Sequence, residues 1–138
     1  VFYNFHKVFG LVILALVIVR LSYRLVHGAP PDEPTLTTFE KIASHLTHWS
    51  LYGLLLIVAL LGWLGISTYD AREVFGFTIP SIAAKDEAFA ERVFQWHKLG
   101  AIALFVLAGM HVGAALMHFV IKKDGVMARM LPGLGRRS

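Results

Sequence analysis

The sequence predicts an all-α membrane protein, a transmembrane helical bundle with three spanning helices. Two observations carry that expectation. Of the 138 residues 57% are hydrophobic and only 16% charged, with a mean hydropathy of +0.64, whereas a soluble domain carries about 25% charged residues. The apolar residues are also gathered into three blocks rather than spread at core periodicity, as membrane spans are. The chain has no cysteine, which excludes disulfides, iron–sulfur ligation and covalent haem attachment through C-x-x-C-H. No run of Lys and Arg interleaved with aromatics points to nucleic acid.

The first helix is expected over about residues 2–26. Its uncharged core, Val8 to Val19, is 12 residues, or about 18 Å, short for a hydrocarbon layer about 30 Å thick. To span, it must take His6 and Lys7 near one interface and Arg20 and Arg24 near the other. The two arginines are four apart and share a face, where they either snorkel or meet an anionic partner. Gly28, Pro30, Pro31 and Pro34 end the helix. Thr37 or Thr38 with Glu40 marks the next start, and the second helix runs over about 39–68. Trp49 and Tyr52 toward one end and Trp63 and Tyr69 toward the other resemble interfacial belts. The connection that follows holds an apolar patch, Val74-Phe75-Gly76-Phe77-Thr78-Ile79-Pro80. It is expected to be non-helical and to lie on the membrane surface or cap the bundle. The third helix covers about 88–122. Residues 1–124 thus form a single transmembrane domain, and 125–138 a basic tail expected to be poorly ordered.

Because three spans alternate in direction, the N-terminus and the second connection share a side. That side carries five cations (Lys7, Arg72, Lys85, Arg92, Lys98), and the other carries eight, including Lys122, Lys123, Arg129, Arg136 and Arg137. The positive-inside rule places the tail in the cytoplasm and the N-terminus outside.

The seven histidines carry the chemistry. His97 and His111 are fourteen residues apart on one apolar helix, so they lie within about 40° of one face and about 21 Å apart along the axis. Two imidazoles so placed suggest two stacked haems. His6 matches His97 in depth, and two neutral imidazoles on facing helices suit axial ligation of a low-spin b-type haem. Gly10 and Gly100, near the two histidines, would admit a flat macrocycle, and Lys7 and Lys98 would pair with propionates or make the outer edge electropositive. Arg20 and Arg24 are further propionate candidates. His111, flanked by Gly109 and Gly113, lacks an evident partner at its depth, because His45, His48 and His118 fall closer to the cytoplasmic interface. A second haem there would need a helix that these residues do not contain. Against all this, a histidine in a membrane helix also serves simply to hydrogen-bond a neighbour, and Gly109-x-x-x-Gly113 is a common packing motif. Intramembrane ionisable groups are, however, rare and functional by default. His45 and His48, three apart, would bind a metal or a quinone or pack at the interface; His27 is expected to be solvated.

In their order, Phe5-His6-Lys7 with Val19-Arg20-Leu21, Ala43-Ser44-His45-Leu46-Thr47-His48, Phe75 to Pro80, Trp96-His97-Lys98 with His111, and Met130-Leu131-Pro132 resemble the bacterial cytochrome b561 family. These are di-haem cytochromes of the inner membrane related to the b subunits of nickel–iron hydrogenases. The resemblance implies four helices and four haem-ligating histidines. His6 and His97 would hold the outer haem and His111 one side of the inner haem, the fourth ligand belonging to a first helix that this chain lacks. It implies haem b, two in the family pattern and one supportable by these residues, with a quinone as electron acceptor. Some relatives pass electrons from superoxide to ubiquinone. The competing expectations are a cytochrome b anchor for a hydrogenase or dehydrogenase, with a redox partner subunit or as a homodimer, and a haem-free membrane scaffold.

Overall fold

A computed structural model of the chain describes residues 1–131. Three helices are long and apolar enough to cross a membrane: α1 (Phe2–His27), α2 (Thr38–Thr68) and α3 (Glu87–Met117), the last running on through a π-helical turn, His118–Lys122. The spans expected at 2–26, 39–68 and 88–122 are therefore found to within a residue at each end. Their apolar windows are only 11%, 28% and 6% buried within the chain, as befits helices whose solvent is lipid. The residues fall into two compact units, Val1–Gly28 with Tyr52–Leu104, and Ala29–Leu51 with Phe105 onward.

In the first unit, Gly28 ends α1 at φ +74°, its N–H donating to the Arg24 carbonyl at 2.8 Å. That left-handed position is open to glycine at little cost. The apolar connection expected on the surface or over the bundle is a small antiparallel hairpin, β1 (Glu73–Val74) and β2 (Phe77–Thr78), with Glu73 opposite Thr78 and Val74 opposite Phe77. The two turn residues, Phe75 and Gly76, sit at φ +47° and +84°, the positive-φ pair that a two-residue hairpin needs. Only the second is a glycine, which is why composition alone does not give the turn away.

Polar side chains hold this hairpin. The Lys7 ammonium donates to the carbonyls of Ala71 (2.7 Å) and Glu73 (3.1 Å), Arg72 to that of Ile79 (3.1 Å), and the Trp63 indole N–H to that of Pro80 (2.8 Å). Beneath it Ile66, Val74 and Ile79 form a buried cluster backed by Leu11, Trp63 and Phe94. The connection ends where Asp86 caps α3, its carboxylate accepting the Phe89 N–H at 3.0 Å.

In the second unit, α2 starts with a reciprocal cap: Glu40 N–H donates to the Thr37 hydroxyl (3.3 Å) and Thr37 N–H to the Glu40 carboxylate (2.8 Å). Glu40 also pairs with Lys122 and Glu33 with Arg129, the latter at 3.3 Å. Lys123 at φ +51° ends the π-helical turn, and a short helix α4 (Val126–Met130) follows. Part of the segment expected to be poorly ordered is thus helical, because Arg129 and Asp124 tie it down. Residues 132–138, including Arg136 and Arg137, lie outside the described residues.

Two of the hairpin's anchors come from one ammonium. Replacing Lys7 by Met removes both, each a hydrogen bond from a charged donor of the kind worth about 1.5–3 kcal/mol before solvent screening. Amide hydrogen exchange of the 71–79 segment in the Lys7→Met protein is expected to rise at least about tenfold, with the exchange of α2 unchanged; unchanged exchange at 71–79 would remove Lys7 from this role.

Candidate functional site

His6 on α1 and His97 on α3 meet in the first unit, their ring centroids 5.9 Å apart and their planes at 83°. His97 is further fixed from α2. Its Nδ1 lies 2.7 Å from the carbonyl oxygen of Val58, and since a carbonyl only accepts, Nδ1 is the donor. The neutral ring then keeps a bare lone pair on Nε2, the arrangement by which a ligating histidine is oriented from behind.

The glycines divide into two kinds. A Cβ on Gly62 would stand 3.0 Å from His97 Cε1, one on Gly65 2.5 Å from the Phe94 ring, and one on Gly100 2.7 Å from Val58 Cγ2. These three clear the packing of α2 on α3. At Gly10, Gly109 and Gly113 an added Cβ would meet nothing within 4 Å. The expectation that Gly100 opens space for a macrocycle is therefore corrected, since it accommodates Val58; Gly10 does border open space. Gly109 and Gly113 likewise border open space.

Arg20 and Arg24, the propionate candidates, converge on one side chain. Arg20 Nε donates to the Tyr52 hydroxyl at 2.9 Å, and the Arg24 guanidinium lies 5.6 Å from the Tyr52 ring centroid. Lys7 is taken up by hairpin carbonyls. Lys98 is exposed and makes no hydrogen bond or ion pair among the described residues.

In the second unit His111 does have a neighbour. Its ring lies 5.4 Å from that of His48, with the planes at 75°. The sequence reading leaves His111 without a partner by assigning His48 to the interface. Counted from the helix ends the two agree: His48 is ten residues into α2, which begins at Thr38, and His111 is eleven short of Lys122, where the third span closes. His45 faces Asp32 at 3.2 Å. The His118 ring donates from Nδ1 to Asp124 at 2.6 Å, both side chains less than a tenth exposed. His27 stacks on Tyr23 at 4.2 Å. Sequence reasoning missed His48, Val58, Gly62 and Asp124 as partners of these histidines.

Among the described residues no group of three or more His, Cys, Asp or Glu gathers around a common point. What the chain offers is pairs, and an axial bis-imidazole site needs no more than a pair. In the first unit, two imidazoles from different helices, one with its Nε2 freed by a backbone acceptor and open space beside Gly10, fit a b-type haem iron. Residues 1–133 match the family model described as prokaryotic cytochrome b561. The chain belongs to that family. Similar proteins include the "Probable superoxide oxidase CybB" of Yersinia pestis, 27% identical over 89% of this chain and 70% of that protein. "Cytochrome b561 homolog 1" of Escherichia coli K12 is 26% identical over the same shares, and "Cytochrome b562" of Cereibacter sphaeroides is 32% identical over 91% of this chain and 65% of its own length. As a prokaryotic cytochrome b561, the chain is a multi-pass membrane electron-transfer protein, and membership implies b-type haem.

The His118–Asp124 contact gives this cytochrome b561 an acid-sensitive closure beyond its third span. Burial raises the Asp124 carboxyl, but the hydrogen bonds from His118 and the Val126 N–H and the nearby charge of Lys122 outweigh it, so its pKa lies below the ordinary carboxylate range. A depressed carboxylate stabilises the fold above its unfolded pKa, about 4, and loses that contribution as the pH falls through the lower folded value. Protection of the 123–127 amides is therefore expected to be constant near neutrality and to fall below about pH 4. Asp124→Asn should lower it at pH 7, by about 1–2 kcal/mol of local opening. Acid-insensitive protection of these amides in the wild-type protein would contradict the assignment.

Proposed function

We propose that this cytochrome carries electrons across the bacterial inner membrane, from superoxide on the outer side to ubiquinone, with its tail in the cytoplasm. The observation that supports it is the His6–His97 pair: two imidazoles on separate helices, with His97 oriented so that Nε2 is free. They would hold one haem b, which supplies one-electron transfer without binding a substrate at iron. His111 is proposed as a ligand of a second haem. The family resemblance puts that haem's other ligand on a helix outside these residues, while His48 is the imidazole that meets His111 here.

The chemistry balances simply. Two superoxide anions each give up one electron and leave as dioxygen, and one ubiquinone takes two electrons and two protons. The superoxide assignment rests on the resemblance to the probable superoxide oxidase and on charge. With Lys7 committed to the hairpin, Lys98 is the exposed ammonium beside His97 and would draw an anion toward that end. The eight cations assigned to the opposite side support the cytoplasmic placement of the tail.

Single His→Ala variants at 6, 97, 48 and 111 test the ligand set by pyridine haemochrome quantitation. Loss of the same haem is expected from His6→Ala and His97→Ala, and loss of a different one from His111→Ala. Retention of that second haem in His48→Ala would leave its other ligand outside this chain, whereas its loss would make His48 the ligand. Lys98→Glu is expected to slow superoxide consumption about tenfold at low ionic strength and to flatten its salt dependence. An unchanged salt profile would take Lys98 out of the approach path.

A further inference from the structure

The contact that fixes His97 has a specific origin on α2. A carbonyl inside an α-helix accepts the N–H four residues on, and the side chain at that same position covers its second lone pair. For Val58 the covering residue is position 62, and it is glycine. Glycine in a helix interior is conformationally costly, and unlike Gly10, Gly109 and Gly113, Gly62 is closely approached. Here the approach is the imidazole: an added Cβ would lie 3.0 Å from His97 Cε1 and 3.3 Å from Nδ1, but 3.9 Å from Nε2. The Nδ1–Cε1 edge of the ring presses into the notch, and Nε2 lies on the side away from it. One turn along α3 the fit is repeated in reverse, since Gly100 leaves room for Val58 Cγ2, which a Cβ would approach to 2.7 Å. Val58 and Gly62 on α2 thus interlock with His97 and Gly100 on α3.

We propose that Gly62 is a positioning residue for the His6–His97 haem: by uncovering the Val58 carbonyl it sets the tautomer, the plane and the donor strength of His97. A ring that gives its Nδ1 proton to a carbonyl is a stronger donor through Nε2. Stronger donation favours the ferric over the ferrous iron and so lowers the midpoint potential. This rests on the haem reading above, but the tautomer itself does not need haem.

The test compares Gly62→Ala with Gly65→Ala in the full chain. Both add one methyl to α2 against α3, and the second meets the Phe94 ring at 2.5 Å, a clash at least as hard that leaves His97 untouched. Expected for Gly62→Ala is an upward shift in the midpoint potential of the haem lost in His97→Ala, with altered electron paramagnetic resonance g-values and the other haem unmoved. Gly65→Ala should keep both signatures at wild-type values. Equal shifts in both variants, or none in Gly62→Ala, overturn the proposal. Should Gly62→Ala bind no haem, ring-nitrogen NMR of haem-free protein decides. A wild-type His97 protonated on Nδ1, with that population lost in Gly62→Ala and kept in Gly65→Ala, supports the proposal, and a wild-type ring protonated on Nε2 overturns it. Wild-type protein without a Soret band would sink the haem reading alone, leaving the NMR result to judge the notch.

Discussion

Where two apolar helices cross in hydrocarbon, their backbones are already satisfied internally, and a side chain reaches a backbone carbonyl of its neighbour where the side chain covering that carbonyl is absent. The packing of α2 on α3 depends on that constraint. Gly65 admits the Phe94 ring, Gly100 admits Val58, and Gly62 admits the imidazole of His97. The first two contacts are apolar, gaining dispersion contacts that a Cβ would block. The third brings a ring N–H onto a carbonyl at 2.7 Å in a part-buried site. A larger residue at 62 would push the imidazole away, and His97 would lose its only backbone partner among the described residues.

The cationic side chains divide by what they reach. Lys7 reaches two carbonyls of the hairpin and Arg20 the Tyr52 hydroxyl, while Arg72 reaches both the Ile79 carbonyl and the Asp70 carboxylate. Lys122 and Arg129 meet carboxylates, those of Glu40 and Glu33. Lys98, one residue beyond His97, has no such oxygen in reach and stays exposed. Lys7 keeps its charge among neutral carbonyls, and Lys98 is the one of the two with its ammonium unengaged among the described residues.

The helices are legible in the sequence because charge punctuates them: His6 and Lys7, Arg20 and Arg24, Glu40 and Lys41, and Glu87 to Arg92 bracket the apolar blocks closely enough to set each end within a residue. The hairpin is legible only as non-helical, since its turn puts Phe75, a residue with no turn preference, at φ +47°. The pairing of His6 with His97 follows from matched depth. The same arithmetic pairs His48 with His111 when depth is counted from Thr38 and Lys122, rather than His48 being assigned to the interface with His45. Gly62 is hidden for a different reason. The glycines near His6, His97 and His111 in sequence are those at 10, 100, 109 and 113, whereas the glycine that faces His97 belongs to another helix and announces itself only through packing.

Partner type separates the seven histidines more sharply than position does. His45 and His118 face carboxylates, Asp32 at 3.2 Å and Asp124 at 2.6 Å, and a carboxylate neighbour holds an imidazole by charge and hydrogen bond, which suits a strut. His27 stacks on Tyr23 next to the end of α1. His6 with His97 and His48 with His111 meet ring to ring. A neutral imidazole is the form that ligates a metal. Of these four rings, His97 is the one whose Nδ1 proton goes to a backbone carbonyl, that of Val58, leaving Nε2 as the nitrogen oriented for that task.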